Sequence, residues 1–326
     1  MNDIIISVIC LTYNQNKYIE KCLDSLVNQE TSFAYEILIH DDASTDGTIK
    51  MLKKYEKRYP QLIKVFYEEE NQYSKGIKVE EILYKNAKGK YFAFCEGDDY
   101  WTDHQKLQIQ YNIMERYKDC TLCAHKVRKM TNSGTELKSI ICPNDFRPGI
   151  IQGDHFLREY LKGDVNMLFQ TSSYLIRKEI ILGRPKELNL FGVGDVPMMI
   201  WAAYKGNIFY LDRICSNYRV AADGSTNQLS RKVDYAINRI KTNIAGFEAF
   251  NKLTNGKYWT AMKHRVYYYK AQCFFYDCSY KDEIETIKSE LSKKQILIAR
   301  IKFTKYGNVI RNFRISLRMF RLFRIT

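Results

Sequence analysis

Three carboxylates stand around one glycine in Glu96-Gly97-Asp98-Asp99, directly after the apolar run Tyr91-Phe92-Ala93-Phe94-Cys95 and before Tyr100-Trp101. A buried strand that ends in like charges needs something positive to neutralise them. A divalent cation with hard oxygen ligands does this, and a phosphate is its natural further ligand. The same residues also read as an acidic turn capping the next helix, because Asp and Gly are ordinary turn residues. Two more polar clusters tilt the balance towards the cation. They are Thr12-Tyr13-Asn14-Gln15-Asn16 and Asp41-Asp42-Ala43-Ser44-Thr45-Asp46-Gly47-Thr48.

Each cluster closes a run with strand character. Residues 4–11 are almost all β-branched or apolar, as are 35–39 and 91–95. Continuous runs of this kind belong to strands buried on both faces. Residues 17–29 have helical periodicity, with Ile19, Cys22, Leu23 and Leu26 on one side. A second helix is expected over 48–58, then a strand over 63–67 and a helix over 80–86. Strands alternating with helices imply a parallel sheet with right-handed crossovers. Ligands of such sheets bind beyond the carboxyl ends of the strands, where all three clusters fall.

Further along, 132–163 reads as a loop-rich bridge with short strands, marked by Pro143 and Pro148. A strand-like pattern returns over 166–177, a helix over 195–205, and closing strands over 208–211 and 216–220. Beyond about Asn227 the chain is helical and tyrosine-rich, without repeats.

A length of 326 residues suits one large domain with an appendage. Hydrophobic content of 45% and charged content of 27% are ordinary for a soluble globular protein. The net charge of +14 is unevenly spread: residues 291–326 hold ten Lys and Arg and no acid. This argues against a nucleic-acid groove through the main domain, and for a local anionic partner at the C-terminus. Nine scattered cysteines form no disulfide framework. Cys120-x-x-Cys123 with His125 nearby is a weak zinc signal without a second pair. There is no secretion signal and no apolar run of bilayer-spanning length, so a reducing, cytoplasmic setting is expected.

The motifs in this order resemble family 2 glycosyltransferases. The resemblance rests on Ser7-Val8-Ile9 with Thr12-Tyr13-Asn14, on Asp41 to Thr48, and on Glu96 to Trp101. It implies the GT-A fold, a Rossmann-like α/β nucleotide-sugar-binding domain with a mostly parallel central sheet, over residues 1–226, followed by a helical region over 227–326. It also implies transfer of a sugar from a nucleotide-diphosphate donor, most often a UDP-sugar, with inversion, to a saccharide or lipid-linked acceptor. By the same resemblance Thr12, Tyr13 and Asn14 line the nucleotide pocket, Asp41 and Asp42 sit by the base, and Ser44, Asp46 and Gly47 shape that loop. Asp98 takes the place facing a Mg2+ or Mn2+ ion, with Glu96 and Asp99 beside it. Glu96 stands where the family has Asp, which favours contact through water there.

Inversion needs a base opposite the leaving diphosphate. Gly192-Val193-Gly194-Asp195-Val196-Pro197 resembles the catalytic segment of the family, making Asp195 the candidate base; from spacing alone Asp195 equally caps a helix. Tyr218-Arg219 with Gly224-Ser225 resembles the closing segment near the diphosphate. Arg219 is either a phosphate ligand or an ordinary ion-pair partner. Tyr100 and Trp101 offer a stacking face or fill the core.

Arg311, Arg314, Arg318 and Arg321 recur at helical spacing beside Phe313, Leu317, Phe320 and Phe323. A basic amphipathic helix with aromatics suits an anionic membrane surface, here the inner face of the cell membrane. The same helix packed on the protein would leave its basic face in solvent. Two other functions compete. A sugar-phosphate nucleotidyltransferase calls for a glycine-rich phosphate loop, and residues 12–16 contain no glycine. A non-enzymatic polyanion-binding protein would leave the strand-end acids unexplained.

Overall fold

A computed structural model of the chain describes residues 3–142, 146–163, 169–192, 194–220 and 233–302. The described residues fall into two compact units. One is drawn from Met1–Leu157, Val165–Arg184 and Asp195–Gln228, the other from Arg158–Asp164, Pro185–Gly194 and Leu229–Thr326.

The first unit is built on a sheet of ten strands. They are β1 (Ile4–Thr12), β2 (Ala34–Asp41), β3 (Ile63–Tyr67), β4 (Tyr91–Phe94), β5 (Tyr100–Trp101), β6 (Cys120–Met130), β7 (Glu136–Ile141), β8 (Gly149–Ile151), β9 (Leu175–Arg177) and β10 (Asn207–Arg219). The order is β3-β2-β1-β4-β9-β6-β10-β5, with β7 on β6 and β8 on β10. β1, β2, β3 and β4 run parallel, and β6 and β10 share their direction because the short β9 is antiparallel to both β4 and β6. All of these longer strands therefore end at one edge.

The helices are α1 (Ile19–Val27), α2 (Thr48–Arg58), α3 (Glu81–Asn86), α4 (Lys106–Arg116), α5 (Gly153–Lys162), α6 (Lys178–Leu182) and α7 (Asp195–Lys205). The expected side of α1 is buried, Ile19, Cys22, Leu23 and Leu26 all lying at 0% exposure against Ile6, Val8, Ile39 and Tyr91. The two closing strands are one continuous strand, β10. Arg213 and Asp212 interrupt its apolar pattern because both are surface ion-pair residues, with Asp103 and Lys126. Cys120 and Cys123 are buried in β6, and all nine cysteines are free. The loop-rich 132–163 stretch contains β7, β8 and α5.

The second unit contains α8 (Val233–Leu253), α9 (Trp259–Asp277), α10 (Ile284–Glu290) and α11 (Lys293–Ile301). Buried Lys270 of α9 joins Glu248 and Glu283, each at 2.7 Å. Ser292 and Gln295 form a capping box that starts α11. Among the described residues no helix is long and apolar enough to cross a membrane. The basic amphipathic stretch over 309–323 and Gly224-Ser225 lie outside the described residues.

One close approach supports β1. A Cβ on Gly89 would collide with the main-chain nitrogen of Ser7 and come within 2.7 Å of the Ile6 carbonyl carbon. Backbone cannot yield as a flexible side chain can, so Gly89→Ala is expected to lower stability by about 1–3 kcal/mol, read as a lower urea midpoint at constant slope.

Candidate active site

The carboxyl edge gathers the three polar clusters. Thr12 lies beside Asp41 in the β1–β2 register, and Asp41 beside Tyr67 of β3. Beyond β4, pairing with β1 continues: Cys95 N–H donates to Ile9 O at 3.1 Å and Gly97 N–H to Leu11 O at 3.0 Å. Glycine at 97 leaves room for the side chains packed against this approach. A Cβ there would overlap Gln15 Oε1 and press within 2.9 Å of Ile19 Cδ1 and 3.0 Å of Thr12 Oγ1.

The loops after β1 and β2 are stitched together by side-chain acceptors. Asn14 N–H donates to Ser44 Oγ at 2.8 Å, Gln15 N–H to Thr48 Oγ1 at 2.9 Å and Asn16 N–H to Asp46 Oδ2 at 3.0 Å. In return Thr45 N–H donates to Asn14 Oδ1 at 2.7 Å. Asn14 and Ala43 hold left-handed φ angles of 51° and 61°. Asn tolerates that region; Ala43 is strained there.

The acids of the second loop are committed to its shape. Asp41 is fully buried and accepts from Ser44 N–H at 3.0 Å and Ser44 Oγ–H at 2.6 Å. Burial pushes its carboxyl up, and the Ser44 hydrogen bonds oppose that. Asp42 accepts from Gln72 N–H at 2.7 Å and Tyr73 N–H at 3.1 Å. Beside them Tyr13 is 46% exposed. Thr12 Oγ1 is buried without a partner among the described residues.

The Glu96–Asp99 acids differ from one another. Asp99 is 1% exposed; its Oδ1 accepts Arg219 N–H at 2.8 Å and its Oδ2 accepts Gln170 Nε2–H at 3.5 Å. Burial, then Asp98 and Glu96, push its carboxyl well up. Asp98 is 9% exposed, and burial pushes it up to about 6 against the pull of its own main-chain N–H and of Arg219. Glu96 stands at the rim, exposed on its outer side. The surrounding protein, then Asp98 and Asp195, push its carboxyl up to about 8, and rim water tempers the first of these. Asp195 therefore lies close enough to Glu96 to repel it. It opens α7 and accepts Val196 N–H at 2.8 Å.

Arg219 ends β10 at 5% exposure. Its Nε–H donates to Asp98 O at 3.0 Å, and its Nη1 donates to Thr131 O at 3.2 Å and Asn132 O at 2.7 Å. Its guanidinium lies 4.2 Å from the Tyr18 ring centre. Trp101 is 2% exposed, donates to Ser172 O at 3.1 Å and carries Lys106 4.1 Å over its ring. Tyr100 is 8% exposed and its OH accepts from Asn217 Nδ2 at 2.7 Å. Both rings belong to the core under the acids.

Among the described residues no group of three or more His, Cys, Asp and Glu side chains is arranged to hold a metal alone. The donor set fits another arrangement, a hard cation held by one or two carboxylates with water and substrate phosphate. Asp98 suits it, since its carboxylate is engaged by no other side chain in hydrogen bonding among the described residues.

Residues 7–182 match the profile of Glycosyl transferase family 2. The chain belongs to this glycosyltransferase family. An uncharacterized protein of Mycobacterium tuberculosis is 39% identical over 130 residues, 40% of this chain and 37% of that protein. The putative teichuronic acid biosynthesis glycosyltransferase TuaG of Bacillus subtilis is 36% identical over 138 residues, 42% of this chain and 52% of that protein. The chain thus spans about half or less of the length of these relatives. The structure of Staphylococcus aureus TarS 1–349 in complex with UDP-GlcNAc superposes with a TM-score of 0.55 at 18% identity, over 92% of this chain and 91% of that one. The glycosyltransferase thus has the GT-A-type α/β fold.

Sequence reasoning missed Gln170, Tyr18, Asn132 and Lys106, which support the edge in this glycosyltransferase. The signal available was the buried indole at Trp101, whose N–H and ring face both need partners. Arg219→Ala is expected to cost about 2–4 kcal/mol, because it strips donors from main-chain carbonyls buried with it and leaves Asp99 less compensated. Urea unfolding reads this; Arg219→Lys, which keeps charge but loses the planar fork, should recover only part.

Proposed function

We propose that the chain transfers a sugar from a UDP-sugar to a hydroxyl of a saccharide or lipid-linked acceptor, with inversion, in surface-polysaccharide synthesis. The observation that carries this reading is the meeting of Glu96 and Asp98, which follow β4, with Asp195, which opens α7, at one carboxyl edge. Thr12, Tyr13, Asn14, Asp41 and Asp42 lie on the β1–β2 side of that edge, where the nucleoside would bind. UDP-GlcNAc in the TarS structure and teichuronic acid in the name of the Bacillus relative support the donor class and pathway.

Asp98, with Glu96 through water, would hold a Mg2+ or Mn2+ ion, which as a Lewis acid supplies charge stabilisation to the departing diphosphate. Asp195 takes the proton from the acceptor hydroxyl. The acceptor oxygen then bonds to the anomeric carbon as that carbon's bond to the diphosphate oxygen breaks. Asp99 and Arg219 keep the acidic loop in register beneath.

Calorimetric titration with UDP and GDP, in Mn2+ and in EDTA, tests the donor site. Metal-dependent UDP binding that Asp98→Ala abolishes is the expected outcome, and no nucleotide binding under any condition overturns the reading. Asp195→Asn should lower kcat by about 10²–10⁴-fold while donor affinity stays near wild type; undiminished turnover removes Asp195 as base.

The basic stretch over 309–323 is proposed to hold the protein at an anionic bilayer. Replacing Arg311, Arg314, Arg318 and Arg321 by Gln should weaken flotation with anionic liposomes by about tenfold or more, since each basic residue contributes about 1 kcal/mol near such a surface. Equal flotation sinks the idea.

A further inference from the structure

A groove of about 750 Å³ runs beside the first turn of α1, apart from the residues assigned above to the nucleoside. Lys17, Lys21 and Arg219 line it, and among the described residues no carboxylate is in its lining. Its opposite wall is the turn between β6 and β7, with Asn132, Ser133 and Gly134. The wall is fixed in place: Tyr18 Oη–H donates to Asn132 Oδ1 at 2.6 Å, and Arg219 holds the carbonyls of Thr131 and Asn132.

The charge is built rather than incidental. Arg219 is a buried cation facing the groove at 5% exposure. Lys21 is exposed with its ammonium held 3.9 Å over the Tyr100 ring, and Lys17 is exposed at the mouth. Glu136, a carboxylate that feels Lys21, is engaged by Asn217 and Arg128. The groove lies at the N-terminal end of α1, whose dipole adds to the same sign. An electropositive groove directly beside three acids has a physical use: it offsets the repulsion that those acids would exert on an anionic molecule brought to them.

We propose that this groove binds phosphate-class oxyanions and seats a phosphate-bearing acceptor. The acceptor assignment rests on the transferase reading, whereas the anion site does not. Thr12, Tyr13, Asp41 and Asp42 are absent from the lining, which separates the groove from the nucleoside side. Its volume exceeds what one phosphate needs and is in the range of sites for extended ligands. The acceptor's phosphates lie along Lys17 and Lys21, and the hydroxyl beyond them points to the edge with Asp98.

The test is calorimetric titration of the full-length protein at low salt with a phosphodiester-linked trimer of glycerol phosphate, with maltotriose and with UDP. The variants are Lys17→Gln/Lys21→Gln and, as a control for the basic tail, Arg311→Gln/Arg314→Gln. Wild type should bind the trimer and not maltotriose. Lys17→Gln/Lys21→Gln should weaken trimer binding by about tenfold or more, as charge-assisted contacts are lost, and leave UDP affinity unchanged. The tail control should bind the trimer like wild type. No trimer binding by wild type, undiminished binding by the lysine variant, or an equal loss in the tail control overturns the site. A matching loss of UDP affinity in the lysine variant overturns the acceptor assignment and makes the groove a seat for the donor's diphosphate. Wild type that binds the trimer but not UDP upholds the anion site and refutes the donor reading instead.

Discussion

The buried guanidinium of Arg219 is the interaction on which the carboxyl edge depends. Its main chain closes β10 on Asp99, while its side chain ties the acidic loop at Asp98 O to the turn at Thr131 and Asn132. A charge at that depth is costly unless paired and fully bonded. Here the cost is offset by the acids it compensates, which would otherwise face only one another. Acid and base are thus mutually required, and the loop that carries both is held rigid.

That rigidity extends to the other two loops by different means. The loops after β1 and β2 are joined by side-chain acceptors. Ser44, Asp46, Thr48 and Asn14 each accept a main-chain N–H of the neighbouring loop. Short polar side chains commonly satisfy loop N–H groups in this way. The consequence is that Asp41 and Asp42, which as sequence look free to bind a ligand, already spend oxygens on Ser44, Gln72 and Tyr73. A base bound there must share acceptors that hold the loop together, so binding and loop order are coupled.

Much of this was legible in the sequence because strands buried on both faces write continuous apolar runs. The β1, β2 and β4 runs and the clusters closing them read directly. β6 was missed as a strand because His125, Lys126, Arg128 and Lys129 break its pattern, although His125 is fully buried and Lys126 bonds Asp212. The split of 208–220 into two strands has the same origin, surface ion pairs within one β10. At the site, residue type alone could not separate three adjacent acids. Asp99 points into the sheet towards Gln170 and Arg219, and Glu96 to the rim, a difference fixed by partners more than seventy positions away.

The division of charge across the edge follows from this geometry. Net charge in the sequence concentrates in the C-terminal stretch, which makes the rest look electrically neutral. The fold sorts that apparent neutrality into an acidic side at Glu96, Asp98 and Asp195 and a basic side at Lys17, Lys21 and Arg219, joined through one arginine. Arg219 compensates the acids only in part, since burial still holds the Asp98 and Asp99 carboxyls up, so the acidic side can take a cation while the lysine side takes an anion. Lys21 sits over an aromatic ring, and the Asp98 carboxylate accepts no side-chain hydrogen bond among the described residues, which leaves both open to a ligand.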